Sequence, residues 1–363
     1  MGSSWLEIDA GRLVGNVCAI RARLERGTGL MAVVKANAYG HGARLVSPLL
    51  ADHVDWFGVD SLSEALEIHA LGLGRPILIL GHTEAENLET VVRLGLRQAL
   101  FRRDSARAMA RAAERMGKPA LAHLKIETGL NRLGGSPSDI DLTGIQIEGV
   151  YTHFADVENG SSDFYRIQLE RLREAASLFE GVLVHASPTA GVLLHPDAHC
   201  DLARVGIGLF GIWPSPDSRV EVPLRPVLTW KSRLAQVKRV SRGASVGYDC
   251  TYRAESDRVI GVVPAGYYDG YDRRLSNRGY VLVRGERAAV VGRVAMNMFM
   301  VDVTGLGAEE DDEVVLLGDG ISADEIARLS GTIAYEVVAR LNPLLPRRLV
   351  GAHRETTHEA PPE

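Results

Sequence analysis

The sequence predicts an α/β fold: a (β/α)8 TIM-like barrel followed by a C-terminal mostly-β domain. Three observations carry this. From residue 10 to about 210, eight β-rich runs alternate with helix-length segments at spacings of about 20 to 30 residues, the pattern of parallel strands joined by helices. The texture then changes at Trp213-Pro214-Ser215-Pro216-Asp217, beyond which short valine-rich runs are separated by Gly and Asp turns. Finally, unusual polar residues fall at the ends of the predicted strands, where barrels place reacting groups. A doubly wound open sheet is the structural rival, because the same alternation builds it.

The eight strands are read at 30–35, 56–59, 77–80, 98–101, 120–126, 147–152, 182–185 and 202–205. Between them, Ser63 precedes a helix that ends at Gly72 or Gly74. Asp104 N-caps SARAMARAAERM, which Gly117 and Pro119 stop. Residues 164–179 have the apolar spacing of an amphipathic helix. Beyond the Pro-rich turn, VLTWKSRLAQVKRV, RVIGVVPAG, GYVLVRGERAAVVG, MFMVDVT and DEVVLLGD read as strands. One helix, 322–329, interrupts them, with Ser322 as N-cap and Glu325 completing a capping box. The expected domains are 8–222 for the barrel and 223–353 for the β domain, with residues 1–7 available to pair with the latter. Residues 354–363, polar and Pro-containing, are expected to be a disordered tail.

An apolar content of 46% and a charged content of 24% over 363 residues are those of a soluble globular protein. A net charge of −5 without a long basic run argues against nucleic acid as a partner. No apolar run approaches the ~20 residues of a membrane helix. The opening MGSSWLEIDAGRLVG lacks the basic and apolar regions of a secretory signal, so the expected location is the cytoplasm. Cys18, Cys200 and Cys250 are odd in number and far apart, with neither disulfide nor zinc spacing, and are read as three buried reduced thiols.

The run Ala32-Val33-Val34-Lys35-Ala36-Asn37-Ala38-Tyr39-Gly40-His41-Gly42 delivers one lysine from an apolar strand into a small-residue, glycine-rich turn. A lysine so placed can lose its proton by desolvation and attack a carbonyl, forming a Schiff base. Tyr39 and the backbone at Gly40 and Gly42 would receive a cofactor's polar end. On the same barrel face fall Lys125, Arg132 in LKIETGLNRLGG, His153 in GVYTHFAD, Thr189 in HASPTAG, and Arg204-Val205-Gly206-Ile207-Gly208. Barrels commonly bind phosphate at the loops after strands seven and eight. Gly206 and Gly208 let backbone N–H groups approach it, and Thr189 adds a hydroxyl.

Five segments, VVKANAYGHG, LKIETGLNRLG, YTHFAD, RVGIGLFG, and PAGYYDGYDRRL with VGRVAMN, resemble the alanine racemase family and run from residue 32 to 297. The resemblance implies a pyridoxal 5'-phosphate (PLP) enzyme of fold type III. It would interconvert L- and D-alanine by a two-base mechanism and supply D-alanine for peptidoglycan. Lys35 is implied to hold the cofactor and act as one base. Tyr267 is implied to be the opposite base, placed in the partner subunit's site, so that a homodimer with active sites shared across the interface is required. A tyrosine is a poor base near neutrality, and His153 is implied to be the neighbour that favours its phenolate.

Arg204 is implied to face the pyridine nitrogen. An arginine keeps its proton, so the ring is a weaker electron sink and transamination is less favoured. Arg132 would bind the cofactor's phenolic oxygen and the substrate carboxylate, and Met296 that carboxylate through its backbone N–H. Lys125 matches a lysine often carbamylated in the family, which turns a repelling cation into an anion that positions Arg132. Tyr39, His153, Thr189, Gly206 and Ile207 complete the implied cofactor site.

The family usually has Asn-Ser where this chain has Pro188-Thr189, a small residue at Tyr268, Asp at Asn297 and, in many members, a phosphate-binding tyrosine at Pro343. Racemisation of serine or of a broader amino-acid range is the near alternative. A decarboxylase of the same fold type normally sets a carboxylate against the ring nitrogen, and Arg204 argues against it. A catalytically silent cofactor carrier would need no second domain bearing Tyr267.

Overall fold

A computed structural model describes residues 3–159 and 162–351; the expected tail, 354–363, lies outside them. The chain begins with β1 (Ser4–Asp9). The barrel strands follow: β2 (Gly29–Val33), β3 (Trp56–Val59), β4 (Ile77–Ile79), β5 (Arg97–Leu100), β6 (Ala120–Lys125), β7 (Ile145–Tyr151), β8 (Leu183–His185) and β9 (Leu202–Val205). All their pairings are parallel, in the order β8-β7-β6-β5-β4-β3-β2-β9. Two hydrogen bonds join the ends of this order, Asp201 N–H to Val184 O (3.0 Å) and Arg204 N–H to Ser187 O (2.9 Å), and bring the ring close to closure. The order runs round the ring without reversing, which removes the doubly wound alternative. Strands wrapped by helices are buried on both faces, which is why β4 is apolar without alternation and β9 is wholly buried, Arg204 being its one charged residue.

A second sheet has nine strands. It takes β1, β10 (Leu228–Arg233), β11 (Gln236–Val240), then β14 (Arg258–Val263), β15 (Tyr280–Val283), β16 (Glu286–Val291), β17 (Phe299–Asp302), β18 (Glu313–Leu317) and β19 (Arg347–Val350); β12 (Ser245–Val246) and β13 (Tyr252–Arg253) form a separate pair. Strand β1 lies between β10, antiparallel, and β19, parallel. Its last residue, Asp9, caps the barrel's helix Ala10–Arg21 by accepting from Arg12 N–H (2.9 Å). The second sheet is thereby tied directly to the barrel wall.

Several local readings are corrected. Ser61, not Ser63, caps the helix Leu62–His69, because Ser61 holds the extended backbone a cap needs and accepts from Glu64 N–H. Asp104 lies inside the first turn of Arg103–Met116, and its carboxylate is taken by Arg102 and by Ser105 N–H. Ser322 does cap Ala323–Ser330, but Glu325 turns to Arg287 (3.2 Å) and forms no capping box. The amphipathic helix covers Phe164–Ala176, three residues shorter than read. A second helix, Ala334–Ala339, follows in the C-terminal part. The cysteines are free, but Cys18 and Cys250 are exposed and Cys200 is half-buried. No helix among the described residues is long and apolar enough to cross a membrane.

Candidate active site

Strand β2 stops at Val33, two residues short of Lys35. Lys35 instead opens a turn, Lys35–Tyr39, in which Ala36, Asn37, Ala38 and Tyr39 all have φ of 52–54°. Four consecutive left-handed residues without a glycine cost roughly 1–2 kcal/mol each, so the surroundings must fix them. Ala36 N–H donates to Glu64 Oε1 and Ala43 N–H to Asn37 Oδ1 (2.7 and 2.8 Å). His41 Nδ1 lies 3.1 Å from Ala38 O and 2.9 Å from Tyr39 O. Arg347 donates twice to Gly40 O (3.0 and 2.8 Å). The second Glu64 oxygen accepts from Asp60 N–H (2.7 Å). That strut holds Asp60, at the end of β3, with Oδ1 3.3 Å from Lys35 Nζ.

Gly40 closes this turn at φ 81°, where a Cβ would lie 2.0 Å from the Val338 carbonyl. Gly40→Ala is expected to destabilise the protein by about 3 kcal/mol or more, read as a lowered urea midpoint. An unchanged midpoint would contradict this packing.

The turn opens onto a cavity of about 740 Å³ at the C-terminal end of the barrel, within the range that encloses a cofactor-sized ligand. Lys35, Tyr39, Lys125, Arg132, His153 and Thr189 line it, as do Arg204, Gly206 and Ile207. At its floor Arg204, 5% exposed, donates to Thr152 O (2.6 Å), Ala186 O (2.9 Å), His185 Nδ1 (2.9 Å) and His153 Nδ1 (3.3 Å). Burial lowers its pKa only to about 10, so the guanidinium stays charged near neutrality.

Arginine has no acceptor atom, so both histidines must offer Nδ1 lone pairs and carry hydrogen on Nε2. His185 Nε2–H then donates to His123 Nδ1 (2.8 Å), while the Tyr151 ring stacks on His185 (4.6 Å, 7°). Burial, with Arg204 beside them, holds His153 and His185 well below the usual histidine range. His153 is therefore a neutral donor rather than a positive neighbour.

Lys125 ends β6 and is 6% exposed. Burial first, then Arg204, Arg132 and Lys35, lower its pKa to about 8. From pH 8 up to the ordinary value of 10.5 the unfolded chain binds more protons at this residue than the native one, so the lysine makes stability rise with pH across that window. In protein kept free of carbon dioxide, Lys125→Gln is expected to flatten the rise between urea midpoints taken near about pH 7 and about pH 10. An equal rise in both proteins would contradict a buried amine.

The glycine cradle is tight. A Cβ on Gly206 would lie 2.3 Å from the Tyr39 hydroxyl, and one on Gly208 would lie 2.5 Å from Thr189 Cγ2. Gly208 N–H donates to Thr189 Oγ1 (3.3 Å). With Lys35 ahead and Arg204 below, this donor set of hydroxyls, close backbone and cations suits a phosphorylated aldehyde with a heteroaromatic ring. Pro188 precedes Thr189 and supplies no N–H.

Tyr267 (41% exposed) and Met296 (54%) do not line this cavity. They share an outward platform on the C-terminal part, where Tyr267 N–H donates to Ala295 O and Tyr268 N–H to Met296 O (3.1 and 2.9 Å). The cavity also holds residues that sequence reasoning missed. Asp60 could have been found, since it follows a predicted strand directly. Tyr335, packed against Tyr39 (6.1 Å between rings), lies on the unread helix.

Fold and cavity together define a two-domain barrel protein whose strand ends gather one strapped lysine, a charged arginine floor and a tight glycine cradle. Two family profiles cover nearly all of it: "Alanine racemase, N-terminal domain" over residues 8–214 and "Alanine racemase, C-terminal domain" over 227–349. The chain belongs to the alanine racemase family, a family of isomerases. It is 40% identical to the alanine racemase of Symbiobacterium thermophilum, covering 96% of this chain and 97% of that one. The alanine racemase of D-cycloserine-producing Streptomyces lavendulae superposes with a TM-score of 0.92 at 34% identity, over 99% and 100% of the two chains. That of Bartonella henselae, which has covalently bound pyridoxal phosphate, does so with a TM-score of 0.88 at 25% identity, over 96% and 100%.

Proposed function

We propose that this chain is a pyridoxal-phosphate-dependent racemase that interconverts L- and D-alanine, working as a homodimer in the cytoplasm. The observation that carries the reading is a division of labour. One cavity gathers Lys35, Tyr39, Arg132, His153, Thr189 and Arg204, while Tyr267 and Met296 stand on an exposed face. Two protomers can place that face over each other's cavities.

Lys35 would hold the cofactor, Tyr39, Thr189, Gly206 and Ile207 would cradle its phosphate, and Arg204 would face its ring nitrogen. When bound, the cofactor supplies an electron sink that weakens the Cα–H bond. The protein manages the proton. Lys35 Nζ takes or gives it on one face of Cα, and the Tyr267 hydroxyl of the partner subunit does so on the other. Neutral His153 assists the phenolate by hydrogen bonding, and the cations around the cavity add a favourable field. Arg204, which keeps its own protons, would lend the ring nitrogen a hydrogen bond but no proton and so would temper the electron sink. Arg132 and the Met296 N–H of the partner subunit orient the substrate carboxylate.

Lys125, crowded by three cations, is the amine most ready to lose its proton and add carbon dioxide; the resulting carbamate is an anion that holds Arg132. Supply of D-alanine for peptidoglycan is the role this activity fits.

The test is a panel of L-amino acids incubated with purified protein and resolved by chiral chromatography. D-alanine formed from L-alanine, without carbon dioxide, is expected. Faster turnover of serine would move the assignment to the alternative substrate, and carbon dioxide release would contradict racemisation.

A further inference from the structure

Arg347 opens β19, where its backbone lies beside Leu6 of β1, and Leu6 N–H donates to Pro346 O (2.8 Å). From that fixed base its half-buried guanidinium reaches back to the barrel and donates to backbone carbonyls. Nε and Nη2 both bond Gly40 O (3.0 and 2.8 Å), and Nη1 bonds Pro343 O and Leu345 O (2.9 Å each). Burial lowers its pKa, with no carboxylate among the described residues to oppose the shift. Drawing a cation out of water without an anion is costly, and charge-assisted bonds to carbonyls offset that only by fixing backbone.

The backbone so fixed leads two ways. Gly40 closes the left-handed turn that sets Lys35. Segment 342–346, on the other side of the guanidinium, supports the loop that carries Tyr267. Asn342 Nδ2 donates to Tyr268 O (3.0 Å) and Asn342 N–H to Asp269 O (3.1 Å), while its Oδ1 accepts from Leu344 N–H (2.9 Å). Leu345 N–H returns to Asn342 O (3.1 Å). Gly270, at φ 111°, sits so close that a Cβ there would lie 2.9 Å from Arg340 O. The Tyr267 loop is thus seated on the segment that Arg347 ties to the Lys35 turn. Neither Arg347 nor Asn342 lines the cofactor cavity.

We propose that Arg347 and Asn342 form one clamp that sets both proton-handling groups of a protomer, Lys35 for its own cavity and Tyr267 for the cavity of the partner subunit. They are positioning residues: they act through backbone that carries the reacting side chains. The proposal rests on the two-chain reading of the site.

The test uses hybrid holoenzyme dimers reassociated from a Lys35→Ala chain and a Tyr267→Phe chain. Their one intact site takes Lys35 from one chain and Tyr267 from the other. Arg347→Met on the Lys35→Ala chain acts on that site through the Tyr267 loop; on the Tyr267→Phe chain it acts through the Lys35 turn. Either placement is expected to lower hybrid activity by about ten- to a hundred-fold, the cost of a misplacement on the order of 1 Å. Asn342→Ala, the milder variant should Arg347→Met lose its cooperative melting transition, is expected to lower activity only from the Lys35→Ala chain. In Arg347→Met homodimers the circular dichroism of the bound cofactor's absorbance band is expected to weaken as the Lys35 turn loosens. Arg347→Lys keeps the charge but cannot span both sets of carbonyls, and is expected to lose activity as Arg347→Met does. The proposal is overturned if a folded Arg347→Met hybrid stays fully active from either placement, or if Asn342→Ala acts equally from both chains. It is overturned too if Arg347→Lys is fully active or the cofactor band of Arg347→Met is unchanged. A hybrid that stays inactive without any of these variants contradicts the two-chain site itself, and the proposal with it.

Discussion

Lys35→Ala is expected to be folded, colourless in the aldehyde-cofactor absorbance band, and slower in alanine racemisation by at least about 10⁴-fold. The variant removes both the attachment point of the cofactor and one of the two proposed bases. It should not remove the turn. The left-handed backbone is held through main-chain groups by Glu64, Asn37, His41 and Arg347, and none of those contacts uses the Lys35 amine. The lost Lys35–Asp60 pair is largely exposed, and such pairs contribute about 0–1 kcal/mol. A melting temperature close to that of the parent, with no activity and no bound chromophore, is therefore the expected combination. Activity retained without the lysine would contradict its assignment.

Tyr267→Phe is expected to lower racemisation by about 10²- to 10⁴-fold, the range of a single general acid–base group, and to do so asymmetrically. Loss of one base leaves the other able to remove the α-proton from one enantiomer. Deuterium exchange should then persist for one of L- and D-alanine and fall for the other. The hydroxyl belongs to a side chain 41% exposed on the protomer, so its removal costs the fold little. Equal loss from both enantiomers, or none, would contradict the two-base reading.

Much of this site could be read in the sequence because barrels make position meaningful. Once eight apolar runs are set in order, Lys35, Lys125, His153, Thr189 and Arg204 fall at or near strand ends, and one cavity receives them. What was hidden depended on contacts distant in sequence. Lys-Ala-Asn-Ala-Tyr contains no glycine, and nothing local signals a left-handed turn. Glu64 and Arg347, far along the chain, impose it.

The relay from Arg204 through His185 to His123 was equally hidden, since its histidines read as ordinary strand residues until the barrel packs them together. Two helix starts were misplaced by two residues: Ser61 and Ser63 offer equivalent oxygens that only backbone angle separates, and Arg102 caps its helix without a side-chain hydrogen bond, so nothing at that position marks a start. Ala334–Ala339 was missed because six residues with two adjacent valines show too little of a helical period, and Tyr335 was missed with it.

The central claim is that one active site is built from two chains. Lys35→Ala and Tyr267→Phe proteins, each nearly inactive, can be mixed, dissociated and reassociated. In a hybrid dimer one site carries both substitutions and the other carries neither. Random pairing with independent sites then restores about a quarter of the parental activity. That recovery is the predicted result; a mixture that stays as inactive as its components would contradict the account.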